Sequence, residues 1–272
     1  MNNDRLLYRR GILQLVASGI FLSTSGIALR IIEEADGWQI LFYRSLALSV
    51  TILLILVFQK GSRIFDEFRG LGWNDCLLAV FLGTGFVAYV FALLYNTVAN
   101  ALFIFSCAPF VAGFLGWILL GERVATRTWF AIGVTMVGLA VMVGSELAVS
   151  HYLGTLLALW IPIAYAASII AVRSSKRDNM LVALCLAGLV AGGLSAIFVT
   201  DYALTSRDLI ISLYLGVFQV GAGFTLVVLG ARYVPAAQVG LLALVEPVLA
   251  PIWVWMGVGE VPSLATIVGG TI

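Results

Sequence analysis

The chain has 272 residues, 62% of them apolar and 11% charged, with a net charge of +1 and a mean hydropathy of +1.08. An average soluble domain is roughly 45–50% apolar and about 25% charged, so this composition excludes large soluble domains. With almost no net charge and no basic tail it also excludes nucleic-acid binding, and the fold class it points to is an all-α integral membrane protein.

A spanning helix takes about 20 apolar residues, and ten candidate spans follow in chain order. Arg5, Arg9 and Arg10 precede the first, Gly11–Leu29. That run is as long as a full span and no small-residue cleavage site follows it, so a retained helix is expected rather than a signal peptide. Span two, Gln39–Phe58, carries Arg44 six residues inside its start and the small pair Ser45–Ser49. The break Gln59–Asp75 has three basic residues against Asp66, Glu67 and Asp75. It reads as a solvated connector, or as a short surface helix with Ile64, Phe65, Phe68 and Leu71 on one side. Span three, Cys76–Tyr95, carries Gly83, Gly85, Phe86 and Tyr89; span four, Ala101–Leu120, has Pro109 near its middle; span five is Trp129–Gly144. His151 lies in the polar gap that follows. Span six, Leu153–Val172, carries Trp160 and Tyr165, and span seven, Leu181–Thr200, the small pair Gly188–Gly192. Span eight, Leu209–Gly230, carries Gly216, Phe218, Gly221, Gly223 and Phe224; span nine, Ala236–Met256, carries Glu246 and Pro247. Pro262–Ile272 is too short to cross, so the tenth span is expected to be incomplete in this sequence.

Basic residues fix the orientation. With the N-terminus inside, twelve Lys and Arg residues fall in inside segments and two, Arg30 and Arg207, in outside loops. A cytoplasmic N-terminus is therefore expected, in a multi-pass protein of the cell inner membrane.

The spans also repeat. Pro109 is followed 13 residues later by Glu122, and Pro247 by Glu260 at the same distance; both stretches end in Gly-Glu. Gly11 and Arg30 match Gly154 and Arg173 at an offset of 143. The expected organisation is two five-helix repeats, 1–148 and 149–272. Five is odd, so the second copy inserts upside down: Glu122 falls inside and Glu260 outside, Arg173 inside and Arg30 outside. Inverted halves that exchange shapes around a central site are the architecture of alternating-access carriers.

Few residues could do chemistry. One His and no acidic pairs within spans leave no metal site, and Cys76, Cys107 and Cys185 are spaced for neither zinc nor disulfides and are expected to be small buried apolar residues. No Gly-rich phosphate loop is present, so no cofactor and no direct ATP drive are expected, and an enzyme or a channel is the weaker reading. What remains sits in the membrane. Glu246 lies about 15 Å along span nine, near the bilayer centre, where a charge is a functional candidate by default. It could bind an ammonium, carry a proton or pair internally. Arg44 is a candidate charge partner that could bind a carboxylate, pair with an acid, or snorkel to the outer surface. Pro109 and Pro247 are expected to kink their helices around a cavity. Phe86, Tyr89, Trp160, Tyr165 and Phe218, with Gly85 and Gly221, are candidate cavity walls. Trp38, Trp73 and Trp129 read as interfacial anchors.

Ala108-Pro109-Phe110 through Leu120-Gly121-Glu122-Arg123, its second copy Glu246-Pro247-Val248 through Gly259-Glu260, and Phe42-Tyr43-Arg44 in span two resemble the drug/metabolite transporter superfamily in its EamA-type form, over nearly the whole chain. The resemblance implies ten spans, both termini inside, a cavity among spans one, three, four, six, eight and nine, and export of small metabolites. Within the superfamily the chain resembles the YddG-like exporters of aromatic and other neutral amino acids. The implied partners are a small-molecule substrate and the lipid bilayer, and a monomer is compatible with them. Exporters of drugs or sugar conjugates are the alternative. Position 108, the counterpart of Glu246, is Ala, which departs from a perfect double repeat.

Overall fold

The structure, a computed structural model, describes residues 2–61, 64–95, 101, 104–143, 152–177, 180–259 and 264–271. His151, Glu260, Pro262, the expected boundary at 148/149, and parts of spans four, five and ten lie outside the described residues. In hydrocarbon each backbone N–H and C=O needs an internal partner, and the described residues are accordingly helical. The helices are α1 (Asn2–Leu22), α2 (Ser25–Arg30), α3 (Gly37–Lys60), α4 (Ile64–Arg69), α5 (Trp73–Tyr95), α6 (Ala108–Leu120), α7 (Thr126–Val143), α8 (Tyr152–Ser174) and α9 (Leu181–Phe198). Then come α10 (Ser206–Tyr214), a π-helical segment (Leu215–Ala222), α11 (Gly223–Ala231), α12 (Ala236–Ala243), α13 (Val245–Val258) and α14 (Leu264–Thr271).

Seven stretches among the described residues are long and apolar enough to cross a membrane: 4–30, 37–60, 73–95, 152–174, 181–198, 206–231 and 236–258. α6 is apolar but shorter. Phe58, Phe130, Ile197 and Leu13 stand outward and exposed. Apolar surface on this scale needs lipid against it.

Helices from before residue 144 pack on helices from after residue 152: α5 on α8 and α9, α3 on α9 and the π-helical segment, α1 on α11, and α6 on α8 and α12. Small residues set the spacing. Gly188 of α9 faces Ser45 and Ser49 of α3, where a Cβ would meet the Ser45 carbonyl oxygen at 3.0 Å, and Ser49 Oγ donates to the Cys185 carbonyl at 3.1 Å. The two small pairs singled out in the sequence thus meet each other. Cys185 is buried and Cys107 half-buried, but Cys76 is exposed, which corrects the expectation that all three are buried.

Pro109 and Pro247 stand just past helix breaks rather than in the middle of unbroken helices. α6 begins one residue before Pro109, and α13 begins two residues before Pro247, after a turn at Leu244. A first helical turn has free N–H groups, so the N–H that proline lacks is not missed there. α6 and α13 also end alike. Gly121 and Gly259 adopt left-handed backbone, φ +67° and +75°, a conformation costly for residues with a Cβ. This gives the Gly of both Gly-Glu pairs a physical reason. The first transmembrane stretch breaks as well, at Ser23 and Thr24, whose hydroxyls donate to the Ile20 and Phe21 carbonyls.

Trp38 packs between Phe91, tilted at 4.2 Å between ring centroids, and Phe198, stacked at 4.6 Å, and Trp73 is exposed.

Candidate functional site

The helix breaks and the π-helical segment converge on a cavity of about 530 Å³, counting its mouth. Its wall is mostly aromatic and aliphatic. Phe86 and Phe224 meet edge to face at 5.0 Å between centroids, Tyr165 meets Phe224 at 6.3 Å, and Phe105 meets Tyr165 at 5.8 Å. Edge-to-face contacts of this kind fix ring orientation. Leu22, Leu82, Gly85, Ile161, Val220 and Ala243 complete the apolar lining.

Besides the Tyr165 hydroxyl, four polar side chains interrupt it: Arg44, Tyr89, Gln219 and Glu246. Glu246 is 5% exposed and sits in the first turn of α13, where the positive end of the helix dipole offsets part of the cost of burying a carboxylate. Its Oε1 accepts the Tyr89 hydroxyl at 2.9 Å, and that hydroxyl meets Ser25 Oγ at 3.0 Å. Ser25 opens α2, just past the break in the first stretch. A polar chain therefore runs from α13 through α5 to α2.

Arg44 is 2% exposed, so it does not snorkel. Its guanidinium carbon lies 5.5 Å from the centroid of the Phe86 ring, within cation–π range. Among the described residues no carboxylate lies within ion-pair distance of it, and its Nε has no partner. Arg44 and Glu246, opposite charges on one cavity wall, are thus not paired with each other.

The cavity draws together Arg44, Gly85, Phe86, Tyr89, Tyr165 and Glu246 from the residues singled out in the sequence. Pro247 is buried beside Glu246, and Pro109 packs against Gly240 of α12, away from the lining. Gly221 lies in the π-helical backbone next to the lining residue Val220. Trp160 turns aside, donating its Nε1–H to Thr84 at 3.1 Å. Phe218 is 51% exposed and stacks on Tyr214 at the outside of the bundle, off the cavity. Gln219, Phe105 and Ser25 escape a reading that looks for charges and glycines. A polar residue in the middle of an apolar stretch was the signal available for Gln219.

Both ends of the bundle carry polar clamps. At one end, Arg173 of α8 pairs with Glu122 just past α6, donating from Nε to Oε1 at 2.6 Å, and donates to the Ala231 and Val234 carbonyls. The Ala236 N–H donates to Glu122 Oε2 at 3.0 Å. Also at this end, Arg177 binds Glu67 Oε2 at 2.7 Å and Asp75 Oδ2 at 3.4 Å. Lys60, 2.8 Å from Glu67, hydrogen-bonds it and with Arg177 holds the Glu67 carboxyl below its usual range, against a smaller opposing effect of burial. At the other end, the Asp208 carboxylate accepts the N–H groups of Glu33, Glu34 and Ala35 at 3.2, 2.9 and 3.0 Å. Asp36 caps α3 there in a reciprocal capping box with Gln39.

The family model described as "EamA-like transporter family" matches residues 9–144 and 152–272. Among curated proteins none matches. A solved structure described only as "Crystal structure of protein" superposes with a TM-score of 0.75 over 100% of this chain and 93% of that one, at 18% identity, a likeness of fold.

Proposed function

The chain belongs to the EamA-like transporter family, and from that premise we propose that it exports neutral and aromatic amino acids, or closely similar metabolites, across the cell inner membrane by alternating access. The observation that carries the reading is Arg44. A guanidinium buried without a carboxylate in contact is costly, and here it shares an aromatic-lined cavity with a carboxylate that likewise has no cation in contact. A zwitterion answers both: its carboxylate meets Arg44, its ammonium meets Glu246, and its side chain lies among Phe86, Tyr165 and Phe224. A cationic drug would leave Arg44 unanswered, and an anionic conjugate would face Glu246. The zwitterion fits better than either, as in the YddG-like exporters that the sequence resembles.

Alternating access is supported by the two-part family match and by the matching ends of α6 and α13. In this reading ten helices form two inverted halves, divided near residue 148, with the N-terminus in the cytoplasm. The Glu122–Arg173 clamp then closes the cytoplasmic end, and the halves rock about the cavity. Counterflow of labelled amino acids in proteoliposomes tests the proposal: saturable exchange of neutral members is expected. No exchange of any amino acid by folded protein would transfer the reading to drugs or conjugates.

A further inference from the structure

Two polar atoms of opposite kind are left over on the cavity wall. Among the described residues, the buried side-chain atoms of the lining without a hydrogen-bond partner are Arg44 Nε, a donor, and Gln219 Oε1, an acceptor. Arg44 already has a role in the proposed function. Gln219 has none.

Gln219 is 3% exposed, and its orientation is determined. Its Nε2 donates to the Leu22 carbonyl at 3.3 Å. A carbonyl accepts only a donor, so the amide cannot be turned round to satisfy Oε1 there. The Leu22 carbonyl is free to accept because α1 ends at that residue. Gln219 also sits inside the π-helical segment, a rare widened form that recurs at functional sites. Gly216 of the same segment presses on the Arg44 backbone, which ties Gln219 to the helix that carries the guanidinium. A buried acceptor left unpaired costs free energy that a ligand donor can recover.

We propose that Gln219 is a specificity-determining residue that reads the ligand's ammonium group: Oε1 accepts one N–H while Glu246 accepts another. The inference rests on the amino-acid reading of the cavity. Its consequence is a count of hydrogens. A primary ammonium has three N–H bonds, an N-methyl ammonium two, and an N,N-dimethyl ammonium one. Glu246 alone could be satisfied by all three; Glu246 and Gln219 together are satisfied only by the first two.

The test is counterflow of labelled phenylalanine in proteoliposomes, competed by phenylalanine and by its N-methyl and N,N-dimethyl derivatives. In the wild-type protein, competition should fall by about tenfold at the N,N-dimethyl derivative, the order expected for one lost hydrogen bond to a buried group. In Gln219→Met that step should disappear while phenylalanine exchange persists at a weaker level. Gln219→Asn, which withdraws the amide by one methylene, should flatten the step in the same way. A wild-type protein that accepts the dimethyl derivative as well as the methyl one overturns the inference without any variant. So does a step of unchanged size in either variant, since steric exclusion would survive the substitution. Wild-type protein that exchanges no amino acid instead overturns the functional reading beneath it, and the two failures are separable.

Discussion

Tyr89 donates its hydroxyl to Glu246 Oε1 at 2.9 Å while meeting Ser25 Oγ at 3.0 Å. A carboxylate at the start of α13 is thereby tied, through α5, to the broken first transmembrane stretch. In the proposed function a ligand ammonium at Glu246 enters this chain, which would couple its binding to the helix break. Glu246→Gln keeps the shape and a hydrogen bond to Tyr89 but removes the charge, and should lower exchange by at least about tenfold with little change in thermal midpoint. Tyr89→Phe should lower it less. Exchange by Glu246→Gln at the wild-type rate would remove the carboxylate from the mechanism.

Arg44 should show the opposite trade between stability and function. It has no ion-pair partner among the described residues to lose, so Arg44→Met removes a buried charge and keeps the bulk over Phe86. We expect a thermal midpoint in detergent equal to or above that of the wild type, with exchange reduced by more than about tenfold. A destabilised variant with intact exchange contradicts both halves of that expectation.

The Glu122–Arg173 clamp holds the ends of α6 and α8 to the connector between α11 and α12. Glu122→Gln weakens it without deleting a side chain. With the three native cysteines replaced, Ala237→Cys, at a position that packs on Gly113, should react several-fold faster with an impermeant thiol reagent in the Glu122→Gln background. Equal reactivity in the two backgrounds would leave the clamp as a static brace.

Glu67 gives a pH-dependent readout at the same end. Lys60 and Arg177 hold its carboxyl below the usual range in the folded protein, so ionised Glu67 stabilises the fold. That contribution is complete above the unfolded value of about 4.3 and is lost as pH falls through the lowered folded value. The thermal midpoint of the wild type should therefore exceed that of Glu67→Gln at neutral pH, and the gap should close on acidification below about pH 4. A gap that is constant with pH would assign the effect to packing.

Close packing makes a contrasting pair. Gly188→Leu drives a side chain into Ser45 and Ser49 of α3 and should cost recovery of monodisperse protein. Gly193→Ala, on the same helix with nothing near its Cβ position, should be silent. Size-exclusion profiles of the two variants decide this.

The sequence makes some of this site readable for a simple reason: a charge in an apolar run is conspicuous. Glu246 and Arg44 stand out on that ground, and Tyr89, Phe86 and Tyr165 join them on the cavity wall. Which way a side chain faces is harder to read, because lipid and protein interior are both apolar and the contrast between helix faces is weak. Phe218, facing out, and Phe224, facing the cavity, look equivalent in sequence although only six residues separate them. The small pairs on α3 and α9 are legible because close approach needs them, and their meeting follows. The π-helical segment is not legible: its residues suit an ordinary helix, and the contacts of Gly216 with α3 and of Gln219 with the end of α1 are visible only in the structure. The prolines mark the positions of the breaks correctly, but a proline two residues into a helix starts it rather than bends it.

In the proposed function Arg44 and Glu246 hold the two ends of one zwitterion. The most direct measurement is counterflow of labelled phenylalanine in proteoliposomes, competed by phenylalanine, by phenethylamine, which lacks the carboxylate, and by 3-phenylpropionate, which lacks the ammonium. Saturable exchange is expected, with phenylalanine competing at least about tenfold better than either one-ended analogue. Arg44→Met should abolish the preference over phenethylamine and Glu246→Gln the preference over 3-phenylpropionate. Equal competition by all three compounds, or exchange insensitive to both substitutions, would contradict it.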